Sequence, residues 1–250
     1  MSTRFWMTVF SLAIIIAGSC PLGYSDGFLL KDGDTIVFLG DSITQLGKAP
    51  EGYVTLFKMF CDVSGYEVNV INAGISGHKS NDMLARLDKD VLSHHPDVVS
   101  ISCGVNDVWH AFKKDNPSGV PLPEYKKNMT EIVDRCLQSG AKVLLLTATP
   151  IFEDLNSEEN QKLAAYNEFL RQLAKEKIDA GKNIILCDLN QTFQDWYKQK
   201  MRQDNLLTTD GVHMNPRGNR LMAAHIIQSL GATNRELALV KKRWELINNM

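Results

Sequence analysis

Short apolar runs alternate along this chain with longer stretches in which apolar residues recur every three or four positions. The runs TIVFL (35–39), EVNVIN (67–72), DVVSISC (97–103), KVLLLTA (142–148) and NIILCDL (183–189) read as strands. They are mostly near-continuous rather than strictly alternating, which is how strands buried on both faces look. Between them lie amphipathic stretches. YVTLFKMFCDV (53–63) has helical periodicity, and NDMLARLDKDVLSH (81–94) puts Met83, Leu84, Leu87, Val91 and Leu92 on one face. PEYKKNMTEIVDRCLQSG (123–140) opens on Pro123 and closes on Gly140, the usual start and stop pair. A long helix is predicted over 157–181. Another over 215–231 has Asn215 as N-cap and Pro216 at its first position. Strand followed by helix, repeated along the chain, predicts a five-stranded parallel sheet covered by helices on both faces.

The ends of the chain read differently. Residues 1–24 carry an early cation, Arg4, then an apolar run from Phe5 to Ala17, then Gly18 and Ser19. This is the layout of a secretory signal peptide, and the run is short for a membrane span, which needs about 20 apolar residues. Cys20 follows Ala17-Gly18-Ser19, which resembles a lipoprotein cleavage box. Lipidation at Cys20 and ordinary signal cleavage are both open, and either implies export. Residues 25–232 read as one domain without a linker that would divide them. Residues 233–250 form a final helix or tail.

Composition narrows the function classes. Of 250 residues, 44% are hydrophobic and 22% charged, so a folded core is expected. The net charge of −2 argues against a nucleic-acid partner, which needs a basic surface. The five cysteines show no CxxC or Cys/His ligand spacing, so no zinc site is expected; Cys103 and Cys187 fall in strand-like runs as small buried hydrophobes.

The polar exceptions fall just after the strands. They are Gly40-Asp41-Ser42, Asn72-Ala73-Gly74, Gly104-Val105-Asn106-Asp107 and, past a short helical insert, Asp210-Gly211-Val212-His213. In open α/β sheets ligand sites lie outside the carboxyl ends of the strands. A serine hydroxyl becomes a nucleophile when a base takes its proton, and histidine serves near neutral pH when an acid orients its ring. Ser42, His213 and Asp210 are the candidates. Charge building on a carbonyl oxygen needs pre-aimed donors, for which Gly74 offers a backbone N–H, Asn106 an amide and Ser42 its own N–H.

On these blocks the chain resembles the SGNH (GDSL-type) hydrolases, over roughly residues 34–230. The matching residues are Gly40-Asp41-Ser42-Ile43-Thr44, Gly74 within Asn72-Ala73-Gly74, Gly104-Val105-Asn106-Asp107 and Asp210-Gly211-Val212-His213. Gly47 stands one place later than in many members. The resemblance implies a flavodoxin-like three-layer α/β/α sandwich. It also implies Ser42 as nucleophile, His213 as base, Asp210 as its partner, and Ser42, Gly74 and Asn106 as the oxyanion hole.

The resulting expectation is an exported serine esterase without metal or organic cofactor. Its partner is a small acyl ester, acetyl first, with acetylated carbohydrate suggested by export and family analogy. Membrane attachment is expected only through a lipid at Cys20. His78, Trp109 and His110 lie beside the site loops and are candidates for touching substrate. Asp41 and Asp107 read as braces for their turns. The rival readings are a lysophospholipid or thioester hydrolase, which would need a long apolar channel, and a non-catalytic glycan-binding protein using the same cleft.

Overall fold

The computed structural model describes residues 27–199 and 206–247. The expected leader and the lipid site at Cys20 lie outside the described residues. Five strands form one sheet: β1 (Thr35–Gly40), β2 (Asn69–Gly74), β3 (Val98–Ser102), β4 (Lys142–Leu146) and β5 (Ile184–Cys187). All pairings are parallel, in the order β2-β1-β3-β4-β5. This is the flavodoxin-like order, whose direction reverses between β1 and β3.

Ten helices surround the sheet among the described residues: α1 (Ser42–Leu46), α2 (Tyr53–Ser64), α3 (Ser80–Ala85), α4 (Leu87–Asp90), α5 (Val105–Trp109), α6 (Leu122–Gln138), α7 (Glu158–Asp179), α8 (Leu189–Gln199), α9 (Pro216–Ser229) and α10 (Asn234–Ile247). Helices α2, α9 and α10 pack together, with α8 on α9, while α3, α6 and α7 pack as a second group. A three-layer sandwich results. The sheet core is dry: Ile36, Val37, Phe38, Leu39, Val99, Ile101 and Val143 to Leu146 are all fully buried. Phe38 anchors α2 to β1 through edge contacts with Tyr53 and Phe57. Asn215 caps α9 by accepting from Arg217 N and Gly218 N. The C-terminal segment is helix α10, which buries Leu237, Val240 and Trp244. Cys61, Cys103, Cys136 and Cys187 are free thiols, all buried. No helix among the described residues is long and apolar enough to cross a membrane.

One predicted element is broken. The helix expected over 81–94 is divided into α3, α4 and a 3-10 turn over Leu92–His94. The break falls at Arg86, whose backbone leaves helical geometry (φ −107°, ψ 3°). Its guanidinium turns inward, donating to Gly40 O at 2.9 Å and Ala73 O at 2.8 Å, the last turns of β1 and β2. A charged side chain that satisfies two strand-end carbonyls outweighs one turn of regular helix.

Candidate active site

The serine side of the site is built at the close junction of β1, β2 and α1. β1 ends at Gly40, where an added Cβ would lie 1.9 Å from Thr44 Oγ1, so only glycine lets α1 start this close to the strand. Asp41 caps α1, its carboxyl accepting from Ile43 N at 2.9 Å. Ser42 is the first residue of that helix, which leaves its N–H without an acceptor inside the helix. The neighbouring strand is held just as closely. Gly74 lies opposite Gly40 in register, and a Cβ there would stand 2.2 Å from Gln45 N.

The candidate acid and base come from a loop. Asp210 and His213 lie between α8 and α9, beyond the last strand. Asp210 Oδ1 accepts from Val212 N at 3.0 Å and His213 N at 2.8 Å, which folds the turn back on the carboxylate. Its Oδ2 is 2.6 Å from His213 Nδ1. Partial burial works against the charge of Asp210, yet the His213 N–H, the ring and the Val212 N–H hold its carboxyl below the usual carboxylate range. His213 Nε2 lies 2.8 Å from Ser42 Oγ, joining residues 171 positions apart. With the ring proton on Nδ1 facing the carboxylate, Nε2 presents a lone pair to the serine hydroxyl.

The other expected donors have partners inside the protein. Gly74 N–H donates to Asn72 Oδ1 at 2.9 Å, and Asn72 Nδ2 donates to Thr44 O at 2.6 Å. Asn106 Nδ2 donates to His78 O at 3.1 Å and approaches Asp41 Oδ2 at 3.4 Å. Asn106 therefore lies across the β1/β3 switch point, touching the residue before the serine. Burial pushes the Asp41 carboxyl up to about 6, with Asp107 adding to the shift and the Ile43 N–H opposing it. Asp107 braces its loop from Ser80 N at 3.0 Å, and burial raises its carboxyl as well.

An open cleft of about 740 Å3 runs beside the serine. Gln45, Leu46, Lys48, Ala49 and Ser76 wall it, together with Ser42 and His213. His78, Trp109 and His110 are not among its walls. His78 Nδ1 accepts from Arg86 Nε at 3.0 Å, and burial and that cation lower its pKa. His110 is buried, which with Lys113 lowers its pKa too. Trp109 stacks edge-on against Phe152 and lies under Lys113. Among the described residues no cluster of three His, Cys, Asp or Glu is placed to hold a metal ion.

The arrangement can pass a proton from Ser42 Oγ to His213 Nε2 while the Asp210 carboxylate steadies the resulting imidazolium, which is the chemistry of nucleophilic acyl transfer. Sequence reasoning did not single out Arg86, which donates to the strand-end carbonyls of Gly40 and Ala73, or Phe152 and Glu153, which hydrogen-bond to the loop around Asp210. Arg86 sits in a stretch that reads as an ordinary amphipathic face, and Phe152-Glu153 in a turn without a motif.

Comparison with known proteins agrees with this chemistry. Residues 38–221 match the model of the GDSL-like Lipase/Acylhydrolase family. An acetylxylan esterase of Geobacillus stearothermophilus is 28% identical over 221 residues, covering 81% of this chain and 96% of that protein. An isoamyl acetate-hydrolyzing esterase 1 homolog of Rattus norvegicus is 29% identical over 226 residues, covering 83% and 84%. The crystal structure of the acetyl xylan esterase AlAXEase superposes with a TM-score of 0.71 at 33% identity, over 78% of this chain and 98% of that one.

Proposed function

The chain belongs to the GDSL-like lipase/acylhydrolase family, a family of esterases, and from that premise we propose that it removes small acyl groups, acetyl above all, through an acyl-enzyme on Ser42. One observation carries this reading: the unbroken line from Ser42 Oγ through the His213 ring to the Asp210 carboxylate, at 2.8 and 2.6 Å.

Ser42 Oγ attacks the ester carbonyl carbon while its proton passes to His213 Nε2. Asp210 keeps Nδ1 protonated and offsets the imidazolium charge. The carbonyl oxygen becomes an oxyanion, and the Ser42 N–H is its first donor. The Gly74 N–H and the Asn106 amide complete the hole by donating to the oxyanion as well as to the acceptors they hold at rest, Asn72 Oδ1 and His78 O. Collapse of this intermediate expels the alcohol, which takes the proton from His213. Water then attacks the acyl-enzyme by the same route and frees the acid.

The two relatives are named for acetate esters of different alcohols, xylan and isoamyl alcohol. The shared acyl group supports acetyl here. An open cleft that offers Gln45, Lys48 and Ser76 supports a hydroxyl-rich alcohol such as a carbohydrate over a long acyl chain. The leader over 1–24 supports export to where such esters occur.

A series of p-nitrophenyl esters from acetyl to decanoyl, run beside acetylated xylo-oligosaccharides and isoamyl acetate on parent and Ser42→Ala protein, tests the reading. Highest kcat/KM at acetyl, lost with the serine hydroxyl, is expected. A preference for decanoyl, or activity that survives Ser42→Ala, rules the reading out.

A further inference from the structure

The loop that carries Asp210 and His213 has no strand to define it, so something else must fix it. On one side stands Phe152, in the left-handed region (φ 59°), which a non-glycine residue adopts only when its surroundings impose it. Its N–H donates to Gly211 O at 2.6 Å. Its ring lies against Gly211, where an added Cβ would come within 2.4 Å of it. The next residue, Glu153, turns its carboxylate onto the strand of loop that enters the site. Glu153 Oε2 accepts from Leu206 N at 2.7 Å. Oε1 accepts from Leu207 N at 3.1 Å, Thr208 N at 3.2 Å and Thr208 Oγ1 at 2.9 Å. The same threonine hydroxyl accepts from Gly211 N at 3.1 Å. Thr209 N then donates to His213 O at 2.8 Å, and Thr208 bridges to Met214.

A carboxylate gathering three consecutive backbone N–H groups is a strong local organiser, because each bond is charge-assisted. No cation competes for it: Glu153 has no partner among the ion pairs of the described residues. Its most direct side-chain link to the site runs through Thr208 Oγ1 to Gly211, the residue between Asp210 and Val212. We propose that Glu153 is a positioning residue for the reaction, holding the Asp210–His213 turn in register with Ser42 through the Thr208 hydroxyl. This rests on the reading of Asp210 and His213 given above. Near-attack geometry tolerates little error, and a displacement of about 1 Å lowers rates by about 100-fold.

The test compares Glu153→Ala, Glu153→Gln and Thr208→Val with the parent enzyme. Steady-state kinetics on p-nitrophenyl acetate are joined to the low-field proton spectrum of the His213 Nδ1–H facing Asp210, with thermal unfolding as control. Glu153→Ala is expected to lower kcat by about 30- to 100-fold with KM within about threefold, and to broaden or move the low-field proton. Glu153→Gln keeps one acceptor oxygen but turns an NH2 toward the loop donors, so it falls between. Thr208→Val removes the hydroxyl that joins Glu153 Oε1 to Gly211 N while leaving the carboxylate its three backbone N–H groups, and follows in the same direction, which keeps the proposal testable if the alanine variant does not fold. A variant that melts earlier yet retains parental kcat and an unmoved low-field proton overturns the proposal, because the carboxylate then only supports the fold. If the parent itself lacks esterase activity, the functional reading fails instead, and the proton spectrum still decides the role of Glu153.

Discussion

Two halves of the site are built by different means. Ser42 sits at the end of a strand buried from Ile36 onward, and its position follows from the close fit of Gly40 on the Thr44 side chain and of Gly74 on the Thr44–Gln45 backbone, with the Asp41 carboxyl capping α1. Asp210 and His213 sit in a connection between helices, and their position follows from side-chain hydrogen bonds made by Glu153, Thr208 and Asp210 itself. The difference teaches where each half is vulnerable. On the serine side an added side chain meets Thr44 at Gly40 and main chain at Gly74, so there is no room for a change in volume. On the acid–base side a single lost carboxylate or hydroxyl frees a turn without disturbing the core.

The comparison is broken most directly at the proposed nucleophile. Ser42→Ala is expected to lower kcat by about 10⁵- to 10⁶-fold while the melting temperature stays within a few degrees, since the hydroxyl contributes nothing to the strand; single-turnover kinetics and calorimetry on one preparation measure both. Asp210→Asn comes next, at about 10³- to 10⁴-fold in kcat, because the amide no longer holds the proton on Nδ1. Its low-field proton signal should vanish; if signal and rate both persist, the turn holds the ring without the charge.

Asn106 sharpens the serine half. Asn106→Ala is expected to lower kcat by about 100- to 1000-fold with little change in KM, as for the loss of one oxyanion donor. A rate close to that of the parent would make the amide a tie between Asp41 and His78 O and nothing more. The smallest effect concerns stability. Asp41 titrates at about 6 in the fold against an ordinary 3.8, so the folded state holds its proton more tightly. Stability from this group is therefore full at the acid end and lost as pH rises from about 4 to about 6, worth about 3 kcal/mol. Denaturant titrations at pH 4 and pH 7 should show that loss in the parent and a reduced loss in Asp41→Asn. Equal slopes in the two proteins would remove Asp41 as its source.

Much of this was legible in the sequence because it follows from local rules. Continuous apolar runs gave away strands buried on both faces, and Asn215-Pro216 marked the start of α9. The residues that meet at the site were legible because each polar cluster follows a strand or opens a helix. Other features depend on long-range contacts that leave no local trace. Arg86 breaks its helix only because two strand ends lie within reach of its guanidinium. Glu153 reads as one more polar turn residue until the chain brings 206–208 to it. The resting partners of Gly74 and Asn106 were equally invisible, since residue type reveals a donor and not which acceptor it meets.

The entry of the chain into the sheet has a consequence of its own. Leu29 N donates to Leu230 O, Gly33 N to Glu67 O, and Phe28 packs on Phe60 and Tyr66, so residues 28–33 lie by the starting edge of β1. Ser42 stands at the opposite edge, about 20 Å away along the strand. A tether applied ahead of residue 27 would thus point the mouth of the enzyme outward, leaving bulky polymers free to approach it without meeting the surface to which it is fastened.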